Sequence, residues 1–325
     1  KNLTIITDTT VNKVVFEQNV AVGVNCMTAN KEQTIKANRE VILCGGAYGS
    51  PTILMRSGIG DESFLASKNI PCVSNLKGVG ENLQDHIDYI TSHVVNSWEL
   101  IGSPIKSLKF TLRAPFELLN YLLTSKGLFS SNLAEGGAFI KSEEHLEIPD
   151  LQLHFTVAMV EDHGRADIWG NGFSCHVCLL RPKSVGTVKI ASKDPNDDPI
   201  IDPNFLSHED DMKTLIKGYK KMMEIMNTEP LSKFNNIRNP ININDDKAIE
   251  TAIRTRSDTI YHPVGTCKMG IDDMAVVDNQ LRVRGVKNLR VVDASIMPTL
   301  IGGNTNAPAM MIAEKAADLI KQNAS

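Results

Sequence analysis

Hydrophobic positions along the chain change their spacing as it runs. Toward the N-terminus they come in short runs separated by polar turns, so residues 3–7, 11–16, 21–27 and 40–44 each read as extended segments. Glu17-Gln18-Asn19 supplies the polar residues of a hairpin turn between Val14-Val15-Phe16 and Val20-Ala21-Val22-Gly23-Val24, with Asn19 suited to a left-handed conformation. Further on the period lengthens. Residues 105–124 and 211–226 alternate apolar and polar positions with a helical repeat, while 151–157 and 172–180 read as strands. Residues 186–192 and 199–203 look like further sheet segments joined by an Asp/Asn/Pro turn. The middle of the chain therefore predicts an α+β lobe built on an antiparallel sheet.

The apolar run at 40–44 enters Gly45-Gly46-Ala47-Tyr48-Gly49-Ser50-Pro51 and then a helix. Ser50 is placed to cap that helix, Pro51 suits its first position because no N–H is needed there, and Gly58 suits its left-handed close. A strand, a glycine turn and a helix N-terminus present N–H groups and a positive dipole end to a phosphate, so a dinucleotide is the first reading. The glycines do not fit it. Gly45, Gly46 and Gly49 do not make G-x-G-x-x-G, and that spacing occurs nowhere in the 325 residues. A second cluster follows at Lys77-Gly78-Val79-Gly80-Glu81-Asn82-Leu83-Gln84-Asp85-His86. Two such turns so close together point either to backbone lying against a flat or bulky ligand or to ordinary loop glycines. With strand segments already at residue 3 and no initiator methionine, the chain reads as a fold entered halfway.

Length and charge narrow the classes. A chain of 325 residues, 42% hydrophobic and 22% charged, is an ordinary globular composition with room for two lobes. A net charge of −4 gives no basic field for nucleic acid. No apolar run reaches the roughly 18 residues of a membrane span, and the N-terminus is not a signal peptide. The six cysteines lie scattered, which fits reduced thiols in a cytoplasmic protein. Cys175 and Cys178 form a C-x-x-C around His176, but on a strand these side chains point to opposite faces, so no metal site is assigned.

The C-terminal third carries the chemistry. Tyr261-His262-Pro263-Val264-Gly265-Thr266 places a histidine before a proline, which biases it to extended backbone on a bend. Residues 288–295 read as a buried strand ending in acidic Asp293, and Gly302-Gly303-Asn304-Thr305-Asn306-Ala307-Pro308 leads into a helix over 309–321. The asparagines thus stand at a positive helix end.

These segments, with Gly46-Ala47-Tyr48-Gly49-Ser50-Pro51 through Ser57-Gly58-Ile59-Gly60 and the Gly78–His86 cluster, resemble the glucose-methanol-choline family of flavin oxidoreductases. They stand in the family's order over nearly the whole chain, and Gly303-Asn304-Thr305-Asn306-Ala307-Pro308 is similar to the form of its bacterial choline and alcohol dehydrogenase branch. One departure is Ser184-Val185-Gly186, where relatives commonly carry arginine at the centre.

The resemblance implies an α/β flavin-binding lobe, incomplete because the N-terminal Rossmann part with its G-x-G-x-x-G turn is absent, over residues 1–62 and 255–325. A substrate lobe occupies 87–250. It implies FAD as cofactor, a small alcohol as substrate, a missing N-terminal FAD-binding segment as partner, and quinone or oxygen as electron acceptor. The expected placement is cytoplasmic, with peripheral attachment at the inner membrane as a variant. His262 is the expected base in oxidation of an alcohol to an aldehyde by hydride transfer to flavin, since an imidazole titrates near working pH. Asn304 would bind and orient the substrate oxygen. Val11, through its strand backbone, and Asp293, Ala294, Thr305 and Asn306 are the expected cofactor contacts. Asp85 and His86 read as structural, and Glu135 either faces a cationic substrate or is solvated. The competing classes are a non-catalytic, partner-binding fragment without FAD and a lyase of the same family.

Overall fold

The computed structural model describes residues 2–29, 31–95, 108–160, 165, 171–229, 231–234 and 236–324. The chain opens with strands β1 (Thr9–Glu17), β2 (Val20–Thr28) and β3 (Lys31–Lys36) and passes through β4 (Val41–Leu43) into helix α1 (Gly46–Arg56). Strands β5 (Ile59–Gly60) and β6 (Ser74–Asn75) flank helix α2 (Glu62–Ser67). Then come β7 (Ile87–Val94), helix α3 (Leu108–Thr124), β8 (Gly136–Ile140), β9 (Leu151–Thr156) and β10 (Gly172–Leu179). Strands β11 (Thr187–Lys189) and β12 (Ile200–Asp202) precede helices α4 (Glu209–Met226) and α5 (Asp246–Arg256). Strands β13 (Asp258–Thr259) and β14 (Leu289–Val291) and helix α6 (Asn306–Ala324) follow.

Two compact units result. The first holds Lys1–Asp85, Ser184–Phe205 and Tyr261–Ser325, the second His86–Lys183 and Leu206–Ile260. The division differs from the expected one, because residues 184–205 join the first unit. The Gly186 and Leu83 backbones exchange hydrogen bonds of 2.8 and 2.9 Å, and Val188 N–H donates to Gly80 O at 2.7 Å. The β11–β12 hairpin is thereby tied to the second glycine cluster.

In the first unit β1, β2 and β3 form an antiparallel sheet and β4 pairs with β14 in parallel register, Val41 opposite Leu289 and Leu43 opposite Val291. Leu43, Leu54, Ile59, Val264, Val277 and Val291 make its core, and α6 adds Ile312, Ala316 and Leu319 at helical spacing. Residues 3–7 are not a strand. Leu3, Ile5 and Ile6 are exposed, and among the described residues no strand pairs with them, so a short apolar run alone does not hold that segment in a sheet. In the first hairpin the left-handed residue is Gln18, with φ of 54°, and not Asn19. β3 has a single apolar residue, Ile35, and all six of its residues are exposed, so no apolar pattern marks it.

The second unit is built on a five-stranded antiparallel sheet in the order β13-β7-β10-β9-β8. α4 covers one face with Leu215, Tyr219, Met222 and Met226, all fully buried. Gly218 permits the close approach: a β-carbon there would lie 2.8 Å from Val177 and 3.0 Å from Leu151. α3 realises the helical repeat expected over 105–124, and residues 105–107 of that stretch lie outside the described residues.

Candidate active site

α1 begins at Gly46, earlier than expected, and takes Pro51 into its interior. Proline lacks the N–H that would bond to the carbonyl four residues back. That carbonyl belongs to Ala47, and the buried Thr266 hydroxyl donates to it at 2.6 Å. The proline in the helix and the threonine of His262-Pro263-Val264-Gly265-Thr266 are therefore one device. Ser50 does not cap the helix. Its hydroxyl accepts from Gly45 N–H at 3.0 Å and donates to Asp293 Oδ2 at 2.5 Å.

Asp293 closes the end of the β4–β14 pair. Gly46 N–H donates to its Oδ2 at 3.0 Å, and Ser295 donates to Oδ1 from both N–H and hydroxyl. The carboxylate thus fixes the turn over residues 45–50 against the start of the 3₁₀ turn Ala294–Ile296. What faces outward there is backbone. Nothing lies within 4 Å of where β-carbons would stand on Gly46, Gly49 and Gly303, so these glycines border open space. The backbone is therefore not covered by other side chains at these three positions.

The second glycine cluster works differently. A β-carbon on Gly78 would stand 1.9 Å from Met274 O, and one on Gly80 2.1 Å from Val188 O, so these glycines admit protein backbone and not a ligand. The cluster's polar residues clamp the histidine segment. Asp85 Oδ1 accepts from His262 N–H at 2.9 Å, Gln84 and Val264 exchange backbone bonds, and Asn82 Nδ2 donates to Gly265 O at 3.2 Å. Gln84 Oε1 accepts from Leu300 N–H at 3.1 Å, so the same loop also holds the approach to Asn304.

The clamp brings the expected pair together: Asn304 Nδ2 lies 3.4 Å from His262 Nε2, with His262 half-buried and Asn304 exposed. Tyr261, before the histidine, holds φ at 66°, an uncommon conformation for an aromatic residue and a form of local strain met at functional bends. Thr305 O accepts from Ala309 N–H at 3.0 Å, which makes Thr305 the entry to α6, three residues earlier than expected. Asn306 is exposed at the helix's first position, and no acid stands in the first turn to neutralise the dipole. Val11 stands apart on β1, the edge strand of its sheet, opposite Cys26 at a register shift. Cys267 beside this site is buried, and burial first, then the Asp293 carboxylate, pushes its thiol pKa up, so it is inert.

The second unit holds two polar features of its own. Glu135 lines a recess of about 300 Å³ with Phe155, Phe173, Leu231 and Phe234. On the face of the sheet away from α4, wholly buried Asp88 bonds His176 Nδ1 at 2.7 Å, and the His154 ring stands edge-on to His176 at 6.2 Å. Cys175 and Cys178 carry free thiols, and no three His, Cys, Asp or Glu among the described residues are grouped to hold a metal.

The first unit thus brings together a glycine turn bordered by open space, a parallel strand pair ending in a fixed aspartate, and a His–Asn pair ahead of a helix N-terminus, and the comparisons with known proteins give this arrangement its class, an oxidoreductase acting on alcohols. The chain belongs to the GMC oxidoreductase family, whose N-terminal model matches residues 1–88 and whose C-terminal model matches 182–313. The expected absence of the fold's first part draws no support from this, since the N-terminal model is itself met at 1–88. The chain is 44% identical over 324 residues to alcohol dehydrogenase [acceptor] of Pseudomonas putida, covering 98% of this chain and 58% of that protein. With the oxygen-dependent choline dehydrogenase of Cronobacter sakazakii it shares 41% identity over 98% of this chain and 57% of the relative. Among solved structures, Aspergillus oryzae formate oxidase superposes with a TM-score of 0.90 at 25% identity, over 98% of this chain and 61% of that one. The chain thus spans less than two thirds of the length of these relatives. FAD is the cofactor of this family, named in the oxidase's own description.

Proposed function

We propose that this chain takes part in FAD-dependent oxidation of an alcohol to an aldehyde, with His262 as the base. The observation that carries the reading is the 3.4 Å approach of Asn304 Nδ2 to His262 Nε2 ahead of the N-terminus of α6. The first unit is the flavin lobe and the second the substrate lobe. Asp293 would hold the glycine turn beside FAD, with Ala294, Thr305, Asn306 and the backbone of Val11 as contacts. FAD, when bound, supplies the acceptor for the hydride leaving the alcohol carbon. Asn304 donates from Nδ2 to the substrate oxygen and orients it, and His262 takes the hydroxyl proton at Nε2. The positive end of α6 favours negative charge developing near it.

The recess lined by Glu135, Phe155, Phe173 and Phe234 supports an alcohol with a cationic head, since aromatic residues beside an acidic one are the residue types that hold an ammonium group. Choline, the substrate named for several relatives, is such an alcohol. The electrons pass on to quinone or oxygen, and the reading includes peripheral attachment at an inner membrane. No helix among the described residues is long and apolar enough to cross one.

In the FAD-loaded protein, His262→Ala lowers the rate of flavin reduction by about 10² to 10⁴ while flavin stays bound, because a base acts mainly in the transition state. Asn304→Ala loses less, roughly one hydrogen bond. Near-normal flavin reduction by His262→Ala at neutral pH, followed by stopped flow, removes His262 from the mechanism.

A further inference from the structure

The helix α3 is built the wrong way round for a soluble protein. Arg113, Glu117, Asn120 and Thr124 recur at i, i+4, i+7 and i+11 and form its polar stripe, and that stripe is turned to local partners. Arg113 Nε donates to Glu117 at 2.7 Å, Asn120 Nδ2 to Lys126 O at 3.3 Å, and the Thr124 hydroxyl back to Asn120 O at 2.7 Å. Glu117 also accepts from Leu128 N–H at 3.4 Å. Among the described residues the opposite face is apolar and open: Leu112, Phe116, Leu119, Leu122 and Leu123 are 62, 75, 54, 70 and 76% exposed. A contiguous apolar face of this size is not left to water.

We propose that α3 is the surface through which the chain makes its peripheral attachment, lying in the plane of an anionic lipid interface with its leucine and phenylalanine face among the acyl chains. Charge selects this occupant. The whole chain is acidic, at −4, yet residues 105–126 carry Lys106, Lys109, Arg113 and Lys126 against Glu117 as their one acid, and Glu117 is taken by Arg113. Arg113 and Lys126 are exposed toward the two ends of the apolar face. A second copy is a poor occupant, because antiparallel pairing of two such helices sets Arg113 against Lys126. Seventeen residues of helix reach about 25 Å, and α3 is not among helices able to span a bilayer, so it lies on the surface. The proposal rests on the peripheral placement alone and not on the chemistry at His262.

The test is cosedimentation of the 325-residue chain with lipid vesicles. The chain binds phosphatidylcholine–phosphatidylglycerol vesicles, binds pure phosphatidylcholine more weakly, and is partly released by salt. Phe116→Glu with Leu123→Glu weakens binding by at least about tenfold with an unchanged circular dichroism spectrum, because two charges replace buried apolar contacts. Arg113→Gln with Lys126→Gln reduces the preference for phosphatidylglycerol while keeping the weaker binding, and an undiminished preference overturns the electrostatic part of the proposal. Binding that ignores the paired glutamates overturns the proposal, as does failure of the parent chain to bind. A concentration-dependent dimer dissociated by the same glutamates also overturns it and assigns the face to a second copy. Flavin reduction in the FAD-loaded variants is a separate readout, so loss of one reading leaves the other standing.

Discussion

Thr266→Val isolates the bond that makes an interior proline tolerable in α1. The two side chains have nearly the same shape, so the change removes the hydroxyl and leaves no cavity, but it strands the Ala47 carbonyl in a buried site. An unpaired buried acceptor costs about 1–3 kcal/mol. In a unit of this size that is a fall in melting temperature of roughly 2–4 °C per kcal/mol. The origin of the cost is tested by a second change. Pro51→Ala restores an N–H four residues after Ala47, so in the Pro51→Ala background the helix satisfies the carbonyl itself and Thr266→Val becomes nearly neutral. Urea unfolding of the parent, both single variants and the double variant gives a coupling energy, expected at about 1 kcal/mol or more. An equal cost of Thr266→Val in both backgrounds refutes the pairing of the two residues. So does a single-variant cost under about 0.5 kcal/mol, the range of ordinary surface changes.

Other changes probe the remaining buried groups. His176→Ala strips the donor from wholly buried Asp88 and costs about 3–5 kcal/mol in urea unfolding, while Asp88→Asn with His176→Ala costs less; equal costs contradict the pairing. The thiols of Cys175 and Cys267 are pushed up, in both cases chiefly by burial and then by Asp88 and Asp293 respectively. The native state then keeps protons that the unfolded chain loses above about pH 8.5, so stability is full below that pH and falls by roughly 1.4 kcal/mol per unit per thiol above it. Unfolding free energies at pH 8 and 10 measure the slope, and Cys267→Ala flattens it; a slope that this substitution leaves unchanged assigns it elsewhere. Glu135→Gln raises KM for choline by about tenfold and leaves a neutral alcohol unaffected, and equal changes for both substrates empty the recess of its cation.

The regular elements were legible where burial imposes a period. β9 and β10 sit within a residue of their apolar runs and α4 within two, because one sheet face and one helix stripe are packed on each other. Where burial imposes nothing, the pattern misled or was silent. Residues 3–7 form a short apolar run like a strand but have no strand partner among the described residues, and β3 is a strand with no apolar residue buried. The membership of residues 184–205 was also hidden, since it depends on backbone bonds from Gly186 and Val188 to a loop roughly a hundred positions earlier.

The site divides along the same line between local and distant. His262 and Asn304 were found through motif order, and the structure sets them 3.4 Å apart. Asp85, Gln84 and Asn82, which hold that geometry, act across 177, 216 and 183 positions, and no local pattern marks a carboxylate as the partner of a remote N–H. Asp293 was legible as a strand-end acid but not in its bonding, because a strand-end aspartate looks the same whether it meets a ligand or four donors of its own chain. The bond between Thr266 and Ala47 was hidden as well. With Pro51 read at the first helical position no carbonyl lacks a donor; only the start of α1 at Gly46 puts the proline inside the helix and leaves Ala47 O to the Thr266 hydroxyl, 219 positions away.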